Sequence, residues 1–266
     1  MDSVYRTGLL SAMPNREGCM SAQDNLNLTL LFLRYSQPGV GLAGYFLGGL
    51  GPVNTICQTD LAGETTAALP ATLQTARYYT MGLSDCARYA YVAGGYTSVQ
   101  IGTVEAFDLV SKACAVLSSA VLPVSKARCA SFSSGGQFGF LSGGDTSGYV
   151  ATGVVLDFYA RVSSVLTALG NLSVARIGCA GLSDKCHGFI VGGTTGASSA
   201  VADSMAMATR TTAVIPAVVL SQARIPGATL SDRNNGWICG GEEGALSAVT
   251  DRLDYGARTI AACPGA

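Results

Sequence analysis

Apolar positions along this chain alternate with small and polar ones in short stretches rich in β-branched and aromatic residues. No window carries an apolar stripe with the 3.6-residue period of a helix. Five of these stretches are alike: Gly44-Tyr-Phe-Leu, Tyr89-Ala-Tyr-Val-Ala, Phe138-Gly-Phe-Leu-Ser, Gly188-Phe-Ile-Val and Gly236-Trp-Ile-Cys. Each runs into a doubled glycine, at Gly48-Gly49, Gly94-Gly95, Gly143-Gly144, Gly192-Gly193 and Gly240-Gly241, in steps of 46, 49, 49 and 48 residues. A fixed period near 50 residues marks a repeat architecture.

Other residues keep the same period. Fourteen residues after the first glycine of a pair stand Asp108, Asp157 and Asp254, with Ala206 in the fourth unit and Ala62, close to Asp60, in the first. Upstream of the pairs an Ala-Arg step recurs at Arg77, Arg128, Arg176 and Arg224, in steps of 51, 48 and 48 residues, and Leu33-Arg34 is a weaker fifth member. Between arginine and glycine pair lie Ser84-Asp85, Ser134-Gly135-Gly136, Ser183-Asp184 and Ser231-Asp232, residue types that tolerate tight hairpin turns. Each unit therefore reads as four short strands. The first follows the arginine, and the second runs into the glycine pair. The third ends at the repeat aspartate, and the fourth is a Thr/Ser/Val-rich run such as Cys114-Ala-Val-Leu. One small twisted sheet cannot bury both its faces, whereas radial stacking of such sheets does, as in a β-propeller.

The run of aromatic or apolar residues, Gly-Gly, apolar-Asp and a later Arg resembles the kelch repeat over residues 28–266. It departs from that repeat in one respect: kelch units usually carry a Trp in the fourth strand, and the only Trp here is Trp237, beside a glycine pair. The resemblance implies an all-β, five-bladed β-propeller of four-stranded kelch-like blades. The chain ends suggest how the ring closes: Val249 to Ala266 supplies strands three and four of a unit and Leu28 to Gly49 supplies strands one and two, so the N- and C-terminal strands are expected to pair in one blade. Residues 1–27 fall outside the repeat, either as an N-terminal arm that docks on a neighbour or as an irregular strip packed on the rim.

Composition narrows the function. Charged residues make up 12% of the 266, and the net charge is −1, which argues against nucleic acid or an anionic membrane as partner. Low charge with abundant small residues fits a surface made to be covered, and equally fits tight filling of the blades. No run of 18 apolar residues exists, and the stretch Leu26 to Leu33 is too short and is spoiled as a signal-peptide core by Asn25 beside it and Asn27 within it, so neither a membrane span nor a signal-peptide core is expected. Asn27-Leu-Thr and Asn171-Leu-Ser are glycosylation sequons in form. The nine cysteines contain no Cys-x-x-Cys, so no metal site is expected, and most lie in apolar runs as small buried hydrophobes. Cys19, Cys263, Cys86 and Cys186 are the candidates for cross-links to neighbouring chains, the last two in equivalent turns.

Catalysis finds little support in these residues. His187 is the only histidine, and the adjacent Cys186 would point to the opposite face of a strand. Asp108, Asp157 and Asp254 recur at one repeat position, which suits a turn or a partner for the repeat arginines better than a single catalytic constellation. The arginines either ring an anion-binding channel mouth or bond nearby carbonyls and the repeat aspartates. No Lys-Ser/Thr or helix follows the glycine pairs, so they are not phosphate loops. One histidine cannot supply the copper ligands of kelch-like oxidases, and no cofactor is expected.

Two readings of function follow. The first is a non-enzymatic structural or protein-interaction propeller whose partners are other subunits of an assembly, possibly itself; in its composition it resembles accessory proteins of bacteriophage tails, necks and capsids. Such a protein would be made in the cytoplasm without a signal peptide and would end in a virion or another extracellular assembly, and is otherwise cytoplasmic. The second is a carbohydrate-binding propeller, with the tyrosines of the first half (Tyr5, Tyr35, Tyr45, Tyr78, Tyr79, Tyr89, Tyr91 and Tyr96) as the contact surface, Tyr89 and Tyr91 being suited to the core.

Overall fold

A computed structural model describes residues 30–33, 43–48, 52–60, 62–184, 186–232 and 234–263. The expected arm at 1–27, Cys19, Gly49, Tyr5 and Tyr35 lie outside the described residues.

The repeat folds as five four-stranded antiparallel sheets arranged as a β-propeller. The first blade holds β1 (Leu30–Leu33), β2 (Ala43–Leu47), β3 (Val53–Asp60) and β4 (Thr65–Arg77). The second holds β5 (Met81–Ser84), β6 (Tyr89–Ala93), β7 (Val104–Asp108) and β8 (Cys114–Val116). In the third are β9 (Ala130–Ser133), β10 (Phe138–Ser142), β11 (Gly153–Asp157) and β12 (Val162–Val165). The fourth has β13 (Ala180–Ser183), β14 (His187–Val191), β15 (Val201–Ala206) and β16 (Thr211–Val219). The fifth has β17 (Ile225–Ser231), β18 (Asn235–Glu242), β19 (Leu246–Asp254) and β20 (Thr259–Ala262). Among the described residues, helix is confined to single 3-10 turns at Ser118–Ala120 and Ala168–Gly170.

The sheet order corrects the expected closure. Every blade consists of four consecutive strands, so none is shared between the chain ends. The physical reason lies after the first glycine pair: Val53–Asp60 pairs with β2 and Thr65–Arg77 pairs with Val53–Asp60, completing the first blade without strands from the C-terminus.

First strands line the axis, and neighbouring ones touch: Ser84 N donates to Ser133 Oγ at 3.1 Å, Ser183 Oγ to Ser133 O at 3.1 Å, and Thr229 Oγ1 to Gly181 O at 3.4 Å. Turns between strands one and two, and between three and four, lie at one end of the molecule. The loops between strands two and three share the other end, the loop face, with the connectors between blades.

Apolar residues on facing sheets form four seam cores. Tyr45, Leu47 and Ile56 meet Val92 and Phe107 between blades one and two, and Leu83 and Tyr91 meet Leu156 and Phe158 between two and three. Phe132 and Phe140 meet Ile190 and Met205 in the next seam, and Leu182 and Phe189 meet Ile238 and Leu253 in the last. The expectation that Tyr45 offers a contact surface is thereby corrected, whereas Tyr91 packs in the core as expected: both are buried, because alternation turns them inward between sheets.

Candidate functional site

The repeated basic residue locks neighbouring blades together. Arg77, Arg176 and Arg224 are fully buried and pair with Glu105 at 2.5 Å, Asp203 at 2.6 Å and Asp251 at 2.9 Å. Each also donates to main-chain carbonyls of the blade that follows it in the chain, as Arg77 Nη1 does to Gly94 O and Thr103 O and Arg224 Nε does to Gly240 O. Its own carbonyl reaches back to the preceding blade: Gly144 N donates to Arg176 O at 3.0 Å and Gly193 N to Arg224 O at 2.9 Å. These arginines therefore do not line a channel mouth. Burial lowers the pKa of Arg77, while Glu105 beside it pulls the value back up.

Arg128 is not a fourth member of this set. Lys126 occupies the position, buried, with Nζ donating to Gly143 O at 3.0 Å and Thr152 O at 2.5 Å, and its own carbonyl accepts from Gly95 N at 2.8 Å. Val154 stands where the other blades carry the acid, so burial without a carboxylate lowers the Lys126 pKa.

The glycine pairs answer to close approach. Gly94 and Gly143 take φ of +57° and +70°, and a Cβ would fall 2.4 Å from Lys126 O and 2.7 Å from Arg176 O. Gly48, Gly95, Gly144, Gly192, Gly193, Gly240 and Gly241 share positive φ.

The repeat aspartates serve turns, not the buried arginines. Asp108 Oδ1 accepts from Val110 N and Ser111 N, Asp157 Oδ1 from Tyr159 N and Ala160 N, and Asp254 Oδ1 from Ala257 N. Hydrogen bonds from Arg88 hold the Asp108 carboxyl down at about 2, against an opposing effect of burial. Four residues on from these aspartates, and from Ala206 in the fourth blade, the turns place a basic residue at left-handed φ: Lys112, Arg161, Arg210 and Arg258. Each reaches the preceding blade. Lys112 lies over the ring of Tyr45 at 4.7 Å, Arg161 over Tyr89 at 5.3 Å and Arg210 over Phe138 at 4.9 Å, while Arg258 Nη2 meets His187 Nε2 at 3.0 Å. Sequence reasoning missed this second clasp, although its steps of 49, 49 and 48 residues are as regular as those of the glycines.

Both ring nitrogens of His187 are engaged. Because Arg258 only donates, Nε2 must accept, which leaves the proton on Nδ1, 3.2 Å from Asp184 Oδ2. Cys86 and Cys186 sit exposed in equivalent turns, and Cys263 is half-buried at the end of the fifth blade. Burial pushes the Cys129 thiol up to about 12 and the Cys179 thiol to about 11, so both stay protonated, Cys129 inside the second seam core and Cys179 inside the third.

On the loop face, between the second and third blades, a cleft of about 500 Å³ opens. Its walls hold Tyr78, Tyr79, Tyr96 and Tyr149, with Arg128 and Asp145 between them. Tyr78 and Tyr96 exchange main-chain bonds of 3.1 and 2.8 Å, and their rings meet edge to face at 5.4 Å. Tyr79 and Arg128 both take left-handed φ, +55° and +56°, and the guanidinium lies 3.8 Å from the Tyr79 ring centre. Gly178 follows at the equivalent position with φ +65°, and the three are linked by Arg128 N to Tyr79 O and Gly178 N to Arg128 O. Two L-residues held in a conformation that costs about 1–3 kcal/mol each draw attention to this mouth. Of the tyrosines expected to form a contact surface, Tyr78, Tyr79 and Tyr96 are gathered here. Tyr149 and Asp145 went unnoticed because they come from the next blade.

The fifth blade differs on its far side. Three residues before each glycine pair stands an aromatic: Tyr45, Tyr91, Phe140, Phe189 and Trp237. The first four are at most 1% exposed, each in a seam core, but Trp237 is only half-buried. It shares its face with Leu230 and Arg252, its cross-strand partners, and with Cys239 two residues along β18. Among the described residues no hydrogen bond joins the fifth blade to the first.

Among the described residues, no group of three or more His, Cys, Asp or Glu side chains is placed to hold a metal ion. The sequence matches no protein-family model and no curated protein.

Proposed function

We propose that this chain is a non-enzymatic interaction propeller of kelch-like repeats and a subunit of a larger assembly, of the kind found in phage virions. The observation that carries the reading is Trp237. At a repeat position that four seams bury, the fifth blade presents a half-buried indole flanked by Leu230 and Cys239. Large aromatics left at the surface of an otherwise closed repeat mark contact with another protein. The low charge of the chain supports the same reading, since a covered surface needs few solvating groups.

Trp237 is the sole tryptophan, so its emission reports on this face alone. Light scattering and fluorescence are to be followed together over a dilution series, with and without reductant. An oligomer whose emission shifts to longer wavelength as it dissociates is the expected result, and Trp237→Glu should abolish it. A monomer at every concentration with unchanging emission would refute self-association through this face. Dissociation by reductant would add Cys186 or Cys263 as a cross-link.

A further inference from the structure

We propose that the loop-face cleft between the second and third blades is a saccharide-binding site. This inference is independent of the assembly reading, because it rests on a different surface.

The lining sets the ligand chemistry. Four tyrosines contribute ring faces and hydroxyls to one hollow, Gln100 and Ser147 add further polar groups, and the one aliphatic side chain among them, Ile177, is 7% exposed. There is no aliphatic hollow for an anchoring Leu or Ile of a peptide. A ligand that fills this space must offer many hydroxyls and small patches of C–H to lie on rings, which describes a sugar ring better than a polypeptide.

The polar groups are set for that task. Asp145 Oδ1 accepts from Ser147 N and Gly148 N, both at 3.0 Å, which fixes the carboxylate and leaves Oδ2, without a partner among the described residues, to accept from a ligand hydroxyl. Arg128, its guanidinium 3.8 Å from the Tyr79 ring centre and lining the cleft, supplies a planar set of donors. Tyr149 is 46% exposed and stacks on no other ring among the described residues, so its face is the open platform. The walls are preformed: the Tyr78–Tyr96 and Asp145–Tyr149 bridges fix both loops before a ligand arrives.

The test is saturation-transfer NMR on the whole chain with cellohexaose, maltohexaose, mannohexaose and chitohexaose, and a mixture of unstructured decapeptides in a parallel tube. Transfer to the ring protons of at least one hexasaccharide is expected. Tyr149→Ala should weaken that binding at least about tenfold, the loss of one stacking platform, while Tyr149→Phe keeps it within about threefold. Arg128→Gly places at this backbone site the residue type found at Gly178, so the fold tolerates it, and a comparable loss is expected. Thermal melting should be unchanged in all three variants. Binding of none of the four saccharides, binding indifferent to Tyr149→Ala and Arg128→Gly, or binding of the peptides alone would overturn the proposal.

Discussion

Each seam between successive blades, from the first to the fifth, is closed at three levels, whereas the far face of the fifth blade has none of them among the described residues. On the loop face the main chain of a buried Arg or Lys packs onto the preceding blade's glycine pair; in the middle lies an apolar core; at the opposite end a basic turn residue reaches the preceding sheet. The fifth blade gives clasps and, among the described residues, receives none. Arg224 and Arg258 reach back to the fourth blade, but no described residue reaches Gly240, Gly241 or Trp237 from the first. Among the described residues the first blade also carries no clasp residue of its own. Thr59 stands 11 residues after its first glycine, where Glu105, Asp203 and Asp251 stand in others, and Glu64 holds the left-handed turn position that is basic elsewhere. Repetition supplies cohesion only where both partners of a seam keep the repeat.

The strongest way to break this comparison is to truncate the aromatic on both sides of it. Phe189→Ala empties the middle of the seam between blades four and five, where the ring stacks on Tyr255 at 5.2 Å, and should cost about 3–5 kcal/mol in urea unfolding. Trp237→Ala removes a larger side chain from the same repeat position but a half-open face, and should cost less than half as much at concentrations where the chain is monomeric. Equal losses would mean that the fifth face is packed in solution as tightly as the other seams.

A second, smaller contrast uses the glycines. Gly94→Ala and Gly240→Ala both force a side chain to φ near +58°, at about 1–2 kcal/mol each. Only Gly94 faces a neighbouring blade, with Lys126 O 2.4 Å from the added Cβ, whereas Gly240 meets no atom nearer than Ser247 O of its own sheet at 3.1 Å. Gly94→Ala should therefore be the more destabilising by about 1–3 kcal/mol, measured by chemical denaturation of both variants. A larger loss at Gly240 would show that another chain segment presses on it.

Much of this was legible because it is local. The glycine period, the hairpin turns and the apolar runs lie within single units, and they set the strand order within each blade and the number of blades. What failed depended on neighbours. Arg128 matched an Ala-Arg step by coincidence, while distance to the glycine pair would have pointed to Lys126, which stands 17 residues before Gly143, as Arg77 does before Gly94. The acidic partners lie three residues before the repeat aspartates, hidden by the more regular motif. Pairing of the chain ends was inferred from strand counting, and residues 53–77 had already completed the first blade. Of the cleft, three tyrosines were visible in the sequence. Tyr149, Arg128 and Asp145 join them only because two blades stand side by side.

Acid should loosen the clasps before it dissolves the seam cores, and Asp108 sharpens that distinction with the smallest effect. Its carboxylate holds the turn that carries Lys112 to Tyr45, and its bonds from Arg88 keep its pKa at about 2, below the ordinary 3.8. A depressed carboxylate pKa stabilises the fold fully above about pH 4, and that contribution disappears as pH falls towards 2, where the folded state too takes up the proton. Arg88 is half-exposed, and solvent screening leaves about 1–2 kcal/mol for this pair and turn together. Asp108→Asn should cost that much at pH 7 and only a small remainder at pH 2, so the stability curves of variant and wild type draw together between pH 4 and 2. Parallel curves across that window would mean that the turn is held by its neighbours in the seam and that the clasp is a consequence of packing, not a cause of it.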